Sequence, residues 1–234
     1  CQFTVGNYTG LATASDNCGG TPVITQSPVA GTSIGSTTTV TLTATDASGN
    51  NASCTFSLIP SDNTPPNITC PSDVSVAFNS SCQFTLPSYT SLATVSDNCD
   101  TSPVRTQSPA ASTVVTGPTV VTITATDASG NSNNCTFNVT PIDNTPPSIT
   151  CPGNQNVNFN SQCRFSLVNY TGMATAADNC TASPTVTQSP AVATLISTTT
   201  TVTLTATDGN GNIATCSFSV IPTDNTPLSL NCTS

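Results

Sequence analysis

Apolar and polar residues alternate along residues 119–126, TVVTITAT: Val121, Ile123 and Ala125 point one way, and Thr122, Thr124 and Thr126 the other. A period of two belongs to a strand with one face buried. The next five residues, DASGN at 127–131, predict a turn. Asp and Asn bond local backbone there, and Gly tolerates positive φ. Beyond the turn, Cys135, Phe137 and Val139 fall on the inner face of a second strand, so the cysteine belongs to the core. Upstream, Phe84 and Leu86 alternate in the same way, and residues 103–109 predict a short strand bounded by prolines. No stretch has the 3.6-residue period of a helix.

These elements recur. CQFTVGNYTGLATASDNC begins at Cys1 and returns as CQFTLPSYTSLATVSDNC at Cys82 and CRFSLVNYTGMATAADNC at Cys163, two steps of 81 residues. The same step relates the TATD-x-x-GN segments anchored at Asp46, Asp127 and Asp208, and the DNTP segments anchored at Asp62, Asp143 and Asp224. Constant length is the mark of a structural module copied in tandem. The frame predicts repeats at 1–63, 64–144 and 145–225, with 226–234 starting a fourth. Cys232 aligns with Cys70, and the counterpart of residues 73–81 is missing, so the first repeat lacks its first strand or takes it from a neighbour. The 234 residues are expected to be either an excerpt from a longer array or a head-to-tail assembly unit. About seven short strands per repeat predict an all-β chain of tandem immunoglobulin-like antiparallel β-sandwiches. The DNTPP linkers, stiffened by consecutive prolines, predict a rod-like array.

Charge narrows the function classes. Arg105 and Arg164 are the only cationic residues, all eleven acids are Asp, and the net charge is −9. Nucleic acid needs a basic footprint and is excluded as a partner, as is an anionic membrane surface. No apolar run approaches the ~20 residues that span a bilayer, so membrane insertion is not expected. The chain has no His, so Ser-His-Asp and Cys-His catalysis is impossible, and no Glu. Nine of the eleven Asp recur in frame at turn positions, and no enzyme is expected. Twelve cysteines at gaps of 17, 36, 16 and 12 lack the close pairs of structural zinc sites. They predict disulfides, hence a secreted or cell-surface location, with any signal peptide removed.

The combination DNTPP-x-I-x-C-P, SDNC and TATD-x-x-GN-x-x-x-C-x-F resembles the hyalin repeat (HYR) family of immunoglobulin-like extracellular modules, across essentially the whole chain. The resemblance implies adhesion or scaffolding outside the cell, often in long arrays. The third copy departs from it: Pro66 and Pro147 become Leu228, and Pro71 and Pro152 become Thr233.

The frame suggests how the cysteines pair. Cys99 with Cys135, and likewise Cys18 with Cys54 and Cys180 with Cys216, would cross the sandwich. Cys70 with Cys82, and Cys151 with Cys163, would join the first strand to the second. Cys1 and Cys232 then remain for an inter-subunit bridge, in which the segment from residue 226 onward donates its strand to the next molecule. Strand addition of this kind, head to tail, builds a filament. The chain's partners would then be itself as a homopolymer, or the flanking repeats of a longer polypeptide. A lipidated Cys1 is a third reading. The function expected is a structural segment of an extracellular or cell-surface filament, with an adhesin stalk recognising a protein or glycan as the alternative.

Two surface chemistries remain. Asp16, Asp46 and Asp62, then Asp97, Asp127 and Asp143, and their counterparts one repeat later, are oxygen donors suited to calcium if their loops converge. The same residues also build turns. No cofactor is required by the sequence, and Ca²⁺ is the one it could accommodate. Sequons begin at Asn7, Asn51, Asn67, Asn79, Asn138 and Asn169, and three with a central Cys at Asn134, Asn179 and Asn231, so attached glycans are expected in a suitable host.

Overall fold

A computed structural model describes residues 1–231. It is all-β apart from two short 3₁₀ turns, and it divides into two compact units. One comprises Cys1–Pro71, Tyr89–Ser108 and Thr122–Thr136; the other comprises Ser72–Ser88, Pro109–Val121 and Phe137–Ser234.

The third repeat lies wholly in the second unit and shows the sandwich complete. Thr200–Thr207 alternates as the sequence requires: Val202, Leu204 and Ala206 are fully buried. It pairs antiparallel with Thr185–Ser189 on one side and Ile213–Thr223 on the other. Gln155–Asn158 completes this four-stranded sheet by pairing parallel to Ile213–Thr223. The sandwich is therefore antiparallel except at that edge. Facing it are two antiparallel pairs, Ser148–Thr150 with Thr175–Ala177 and Phe165–Ser166 with Leu195–Ile196. Leu167, Tyr170, Ile196, Val202, Leu204, Phe218 and Val220 form the core between them. Each large side chain buried there contributes about 1.5–3 kcal/mol of transfer free energy. Tyr170 meets Phe218 edge to face at 5.2 Å, the geometry ring quadrupoles favour.

A glutamine braces each repeat. Gln188 accepts the Tyr170 amide at 2.8 Å and donates to the Val168 and Pro190 carbonyls. Gln26 makes the same three bonds to Tyr8, Gly6 and Pro28, and Gln107 accepts from Tyr89 at 2.7 Å. These bonds satisfy backbone groups where the chain leaves strand geometry.

In the first unit, Thr38–Thr45 pairs with Val23–Ser27 and Asn51–Leu58, and Phe3–Thr4 with Ser33–Ile34. Asn67–Thr69 pairs with Thr94–Ser96, and Val104–Ser108 with residues 122–126, whose Ile123 and Ala125 are fully buried as the alternation predicts, as is Val121 in the second unit. The 127–131 turn forms as expected, with Gly130 at φ 91°.

The cysteine pairing differs from the expected one. Cys70 joins Cys135 and Cys151 joins Cys216, both 65 residues apart; Cys1 joins Cys99 and Cys82 joins Cys180, both 98 apart. The Cys99–Cys135, Cys180–Cys216, Cys70–Cys82 and Cys151–Cys163 pairs are therefore replaced. So is the Cys1–Cys232 bridge, since Cys1 is taken and Cys232 lies outside the described residues. Among the described residues Cys18, Cys54 and Cys163 are free thiols, which also removes the Cys18–Cys54 pair. The reason is spatial. Cys135 and Cys216 do sit on the inner side of the last strand, but the first strand of the same repeat ends beside them. Cys99 and Cys180 lie in the SDNC and ADNC loops, where they reach Cys1 and, in a turn shared by frame with the unbonded Cys163, Cys82 of the preceding repeat. That turn holds Cys82 and Cys163 at φ 55° and 52°, closed by their amides on Asn79 and Asn160.

Candidate metal centre and repeat staples

Three loops supply each acidic cluster. The linker loop turns on its own aspartate: Oδ1 of Asp62 accepts the Thr64 amide, and Oδ1 of Asp143 the Thr145 amide, both at 3.1 Å. In the second loop Asp97 accepts the amides of Cys99 and Asp100, and Asp178 those of Cys180 and Thr181, all within 2.9 Å. The third loop wraps Asp127 with the Ser129 and Asn131 amides, and Asp208 with those of Asn210 and Asn212. The Asn131 and Asn212 side chains then bridge outward, donating to the Asp62 and Asp143 carbonyls at 3.0 Å. That last bond ties the linker to the loop of the repeat it introduces.

The result is two sets of carboxylates, Asp62–Asp97–Asp127 and Asp143–Asp178–Asp208, with one oxygen from each member within 4.8 Å of the others. Asp127, Asp143 and Asp208 are buried. Asp62 Oδ2, Asp97 Oδ2, Asp143 Oδ2 and Asp178 Oδ1 are shielded from water and accept no hydrogen bond. Two unit charges at that separation repel by about 3 kcal/mol at an effective dielectric of about 20. In two of them, Asp97 and Asp208, hydrogen bonds favour the charged form. The Asp100 and Cys99 amides lower the pKa of Asp97. Burial pushes Asp208 up, and the bonds from Asn212, Asn210 and Gly211 outweigh it, leaving it below the ordinary value.

The expected sets thus regroup. The linker aspartate joins the loops of the following repeat, so Asp62 belongs with Asp97 and Asp127 rather than with Asp16 and Asp46. Asp143 joins Asp178 and Asp208. Asp16 and Asp46 instead border an open groove of about 370 Å³ in the first repeat, beside Ala14, Ile24, Leu42, Ala44 and Cys54. In the third repeat the Ser148–Thr150 strand and Cys151 occupy the equivalent edge, as Asn67–Thr69 and Cys70 do in the second. Residues 13–15, the counterparts of Thr94–Ser96 and Thr175–Ala177, form no strand.

The six Asn-x-Ser/Thr sequon asparagines are exposed. Asn7 and Asn169 each accept both the amide and the hydroxyl of their sequon threonine, Thr9 and Thr171. The Asn138 amide group donates to Asp73 at 2.9 Å. The glutamine brace escaped the sequence reading, although TQSP stands at the same frame position in all three repeats.

No helix among the described residues is long and apolar enough to cross a membrane. Among curated proteins, none matches the chain. Among solved structures, protocadherin gammaB7 EC3-6 is similar at 16% identity and TM-score 0.39, over 80% of this chain and 58% of that one. The I67-I69 fragment of titin is similar at 11% identity and TM-score 0.41, over 88% and 83%. Drosophila N-cadherin EC1-4 is similar at 13% identity and TM-score 0.38, over 79% and 57%. The chain thus spans little more than half of the cadherin chains cited. The HYR domain matches three times in succession, at residues 2–59, 61–141 and 142–221. With the repeat frame, the sandwich and the stapling cysteines now in place, the chain belongs to the HYR domain family.

Proposed function

We propose that the chain is a structural segment of an extracellular filament, joined to its neighbours by the same strand and the same disulfides that join its own repeats. The HYR membership and four disulfides fit an extracellular adhesion or structural module without catalytic activity. The observation that carries the finer reading is the open groove beside Cys54. Residues 224–231, DNTPLSLN, hold the frame position of the strand that fills this groove in the other repeats, and Leu228 and Leu230 stand 98% and 84% exposed. In the 81-residue frame Leu230 takes the position of Ile68, which is buried, and Leu228 that of Pro66. A second copy therefore carries the strand, and the groove accepts it by edge addition.

The free thiols fit the same scheme. Cys82 pairs 98 residues ahead and Cys70 pairs 65 residues ahead. Continued by one more step, these rules set Cys163 against Cys18 of the next copy, and Cys232 against its Cys54. Disulfide mapping of native protein tests the reading. A ladder of species that collapses to one 234-residue chain on reduction, with Cys163–Cys18 and Cys232–Cys54 peptides, supports it. A monomer with all of these thiols free overturns it and leaves an adhesin stalk. One much longer reduced polypeptide overturns assembly between copies and makes the bridges internal to an array.

A further inference from the structure

We infer that Asp143, Asp178 and Asp208 form a divalent-cation site of the calcium class, and that Asp62, Asp97 and Asp127 repeat it one frame earlier. An acidic cluster alone says little, since aspartates commonly serve turns. Here the turn bonds occupy one oxygen of the linker and second-loop aspartates and leave the other unused. Asp143 is 98% buried, given its relative exposure of 2%, yet its Oδ2 has no donor. Asp178 Oδ1 and the neighbouring Asn179 Oδ1 are also buried without a partner. Buried oxygens are ordinarily hydrogen-bonded, so three unsatisfied together call for a positive group. The chain has no Lys and two Arg, and Arg105 is bonded to the Thr90 and Ala93 carbonyls.

The donor set selects the ion. It consists of carboxylate and amide oxygens, with no His, and the cysteines nearest in sequence to each cluster, Cys99 and Cys180, are consumed by disulfides. Hard oxygen donors on irregular loops, with room for carbonyls or water, suit calcium better than zinc. Magnesium demands octahedral geometry at shorter distances, which three separately anchored loops are poorly placed to meet. The recurrence of the same orphaned oxygens at Asp62 and Asp97 shows that the arrangement belongs to the repeat. A cation there would lock the linker onto the two loops of the repeat it introduces. The inference goes beyond filament assembly and stands whether or not copies associate.

Calorimetric titration of the oxidised, monomeric chain with CaCl₂ tests it. The expected result is two ions per chain, with dissociation constants on the order of 0.1–1 mM as in extracellular modules. Asp143→Asn should lower the stoichiometry to one, as should Asp178→Asn, each checked for intact disulfides by mass. Asp73→Asn, outside both clusters, should leave it at two. Absence of saturable binding in the unmodified chain overturns the inference, whatever the variants do. Stoichiometry unchanged in both cluster variants, or magnesium bound as tightly as calcium, overturns it as well.

Discussion

Residues 38–45 and 200–207 share the sequence TTVTLTAT, yet the two strands have different surroundings. Ala206 is fully buried and Leu204 reaches 0% exposure, whereas Ala44 is half-buried and Leu42 reaches 4%. On the neighbouring strands Phe218 is buried and Cys216 half-buried and bonded, while Phe56 is half-buried and Cys54 exposed and free. The aromatic pair survives in both, Tyr8 on Phe56 and Tyr170 on Phe218, each at 5.2 Å. The half of the core built on that pair is thus self-sufficient. What stays uncovered in residues 1–63 is the face that a DNTP-type strand and its cysteine cover in the other two repeats. The repeat, as a folding unit, includes a piece encoded just upstream of its aspartate-rich loops.

Four experiments would sharpen or break this comparison. The largest effect is expected from removing the Cys151–Cys216 bridge. Closing a 65-residue loop is worth about 4 kcal/mol on the chain-entropy model. Paired Ser substitutions there should lower the denaturation midpoint strongly, while Cys54→Ser should leave it unchanged; equal losses would mean that the first repeat is closed in solution. Next come the core leucines. Leu204→Ala should cost about 3 kcal/mol or more in urea unfolding, and Leu42→Ala clearly less, because its pocket already opens on the groove.

A synthetic peptide with the sequence of residues 224–232 offers a third test. It should slow alkylation of the Cys54 thiol and form a mixed disulfide with it under mild oxidation. A peptide with Leu228 and Leu230 replaced by Asp should do neither, and equal protection by both would show that the groove does not read the strand. The smallest effect is expected from acid. Asp73 is held below its ordinary value of 3.8 by the Asn138 side chain and amide. A depressed carboxyl lends stability above its unfolded pKa and loses it as pH falls through the folded one. In the third repeat Asn154 accepts the Ser219 amide at the same place and cannot titrate. Asp73→Asn should therefore flatten the pH dependence of stability below about pH 4, by a small amount because the group is exposed. Measured against Asn154→Asp, the slopes should exchange.

Much of the fold was legible because it is local. Alternation at Val121, Ile123 and Ala125 fixed a strand and its inner face, and DASGN fixed the turn after it. The aspartate loops were also visible as oxygen donors. What could not be read is which repeat each group serves. An exact 81-residue period leaves the origin of the frame undefined, so Asp62 aligns equally well with the loops before it and after it. The Asn131 bond to the Asp62 carbonyl and the Asn98 bond to the Asp62 carboxylate show the direction. The cysteines failed in part for the same reason: Cys99 and Cys135 occur within one frame, but Cys99 finds its sulfur across a repeat boundary at Cys1, while Cys135 takes Cys70 of its own repeat. The glutamine brace was missed because its work is done on backbone groups, which leave no trace in hydropathy.

The reach of the disulfides has a consequence for wear. Bridges spanning 1–99, 82–180 and 151–216 overlap, so every peptide bond from residue 1 to 216 lies inside at least one closed covalent loop. A single proteolytic nick anywhere in that stretch leaves both pieces bound through sulfur. Trypsin's two sites, at Arg105 and Arg164, both fall within the 82–180 loop. Backbone damage and loss of connectivity are thereby separated, as in a knitted fabric whose stitches overlap.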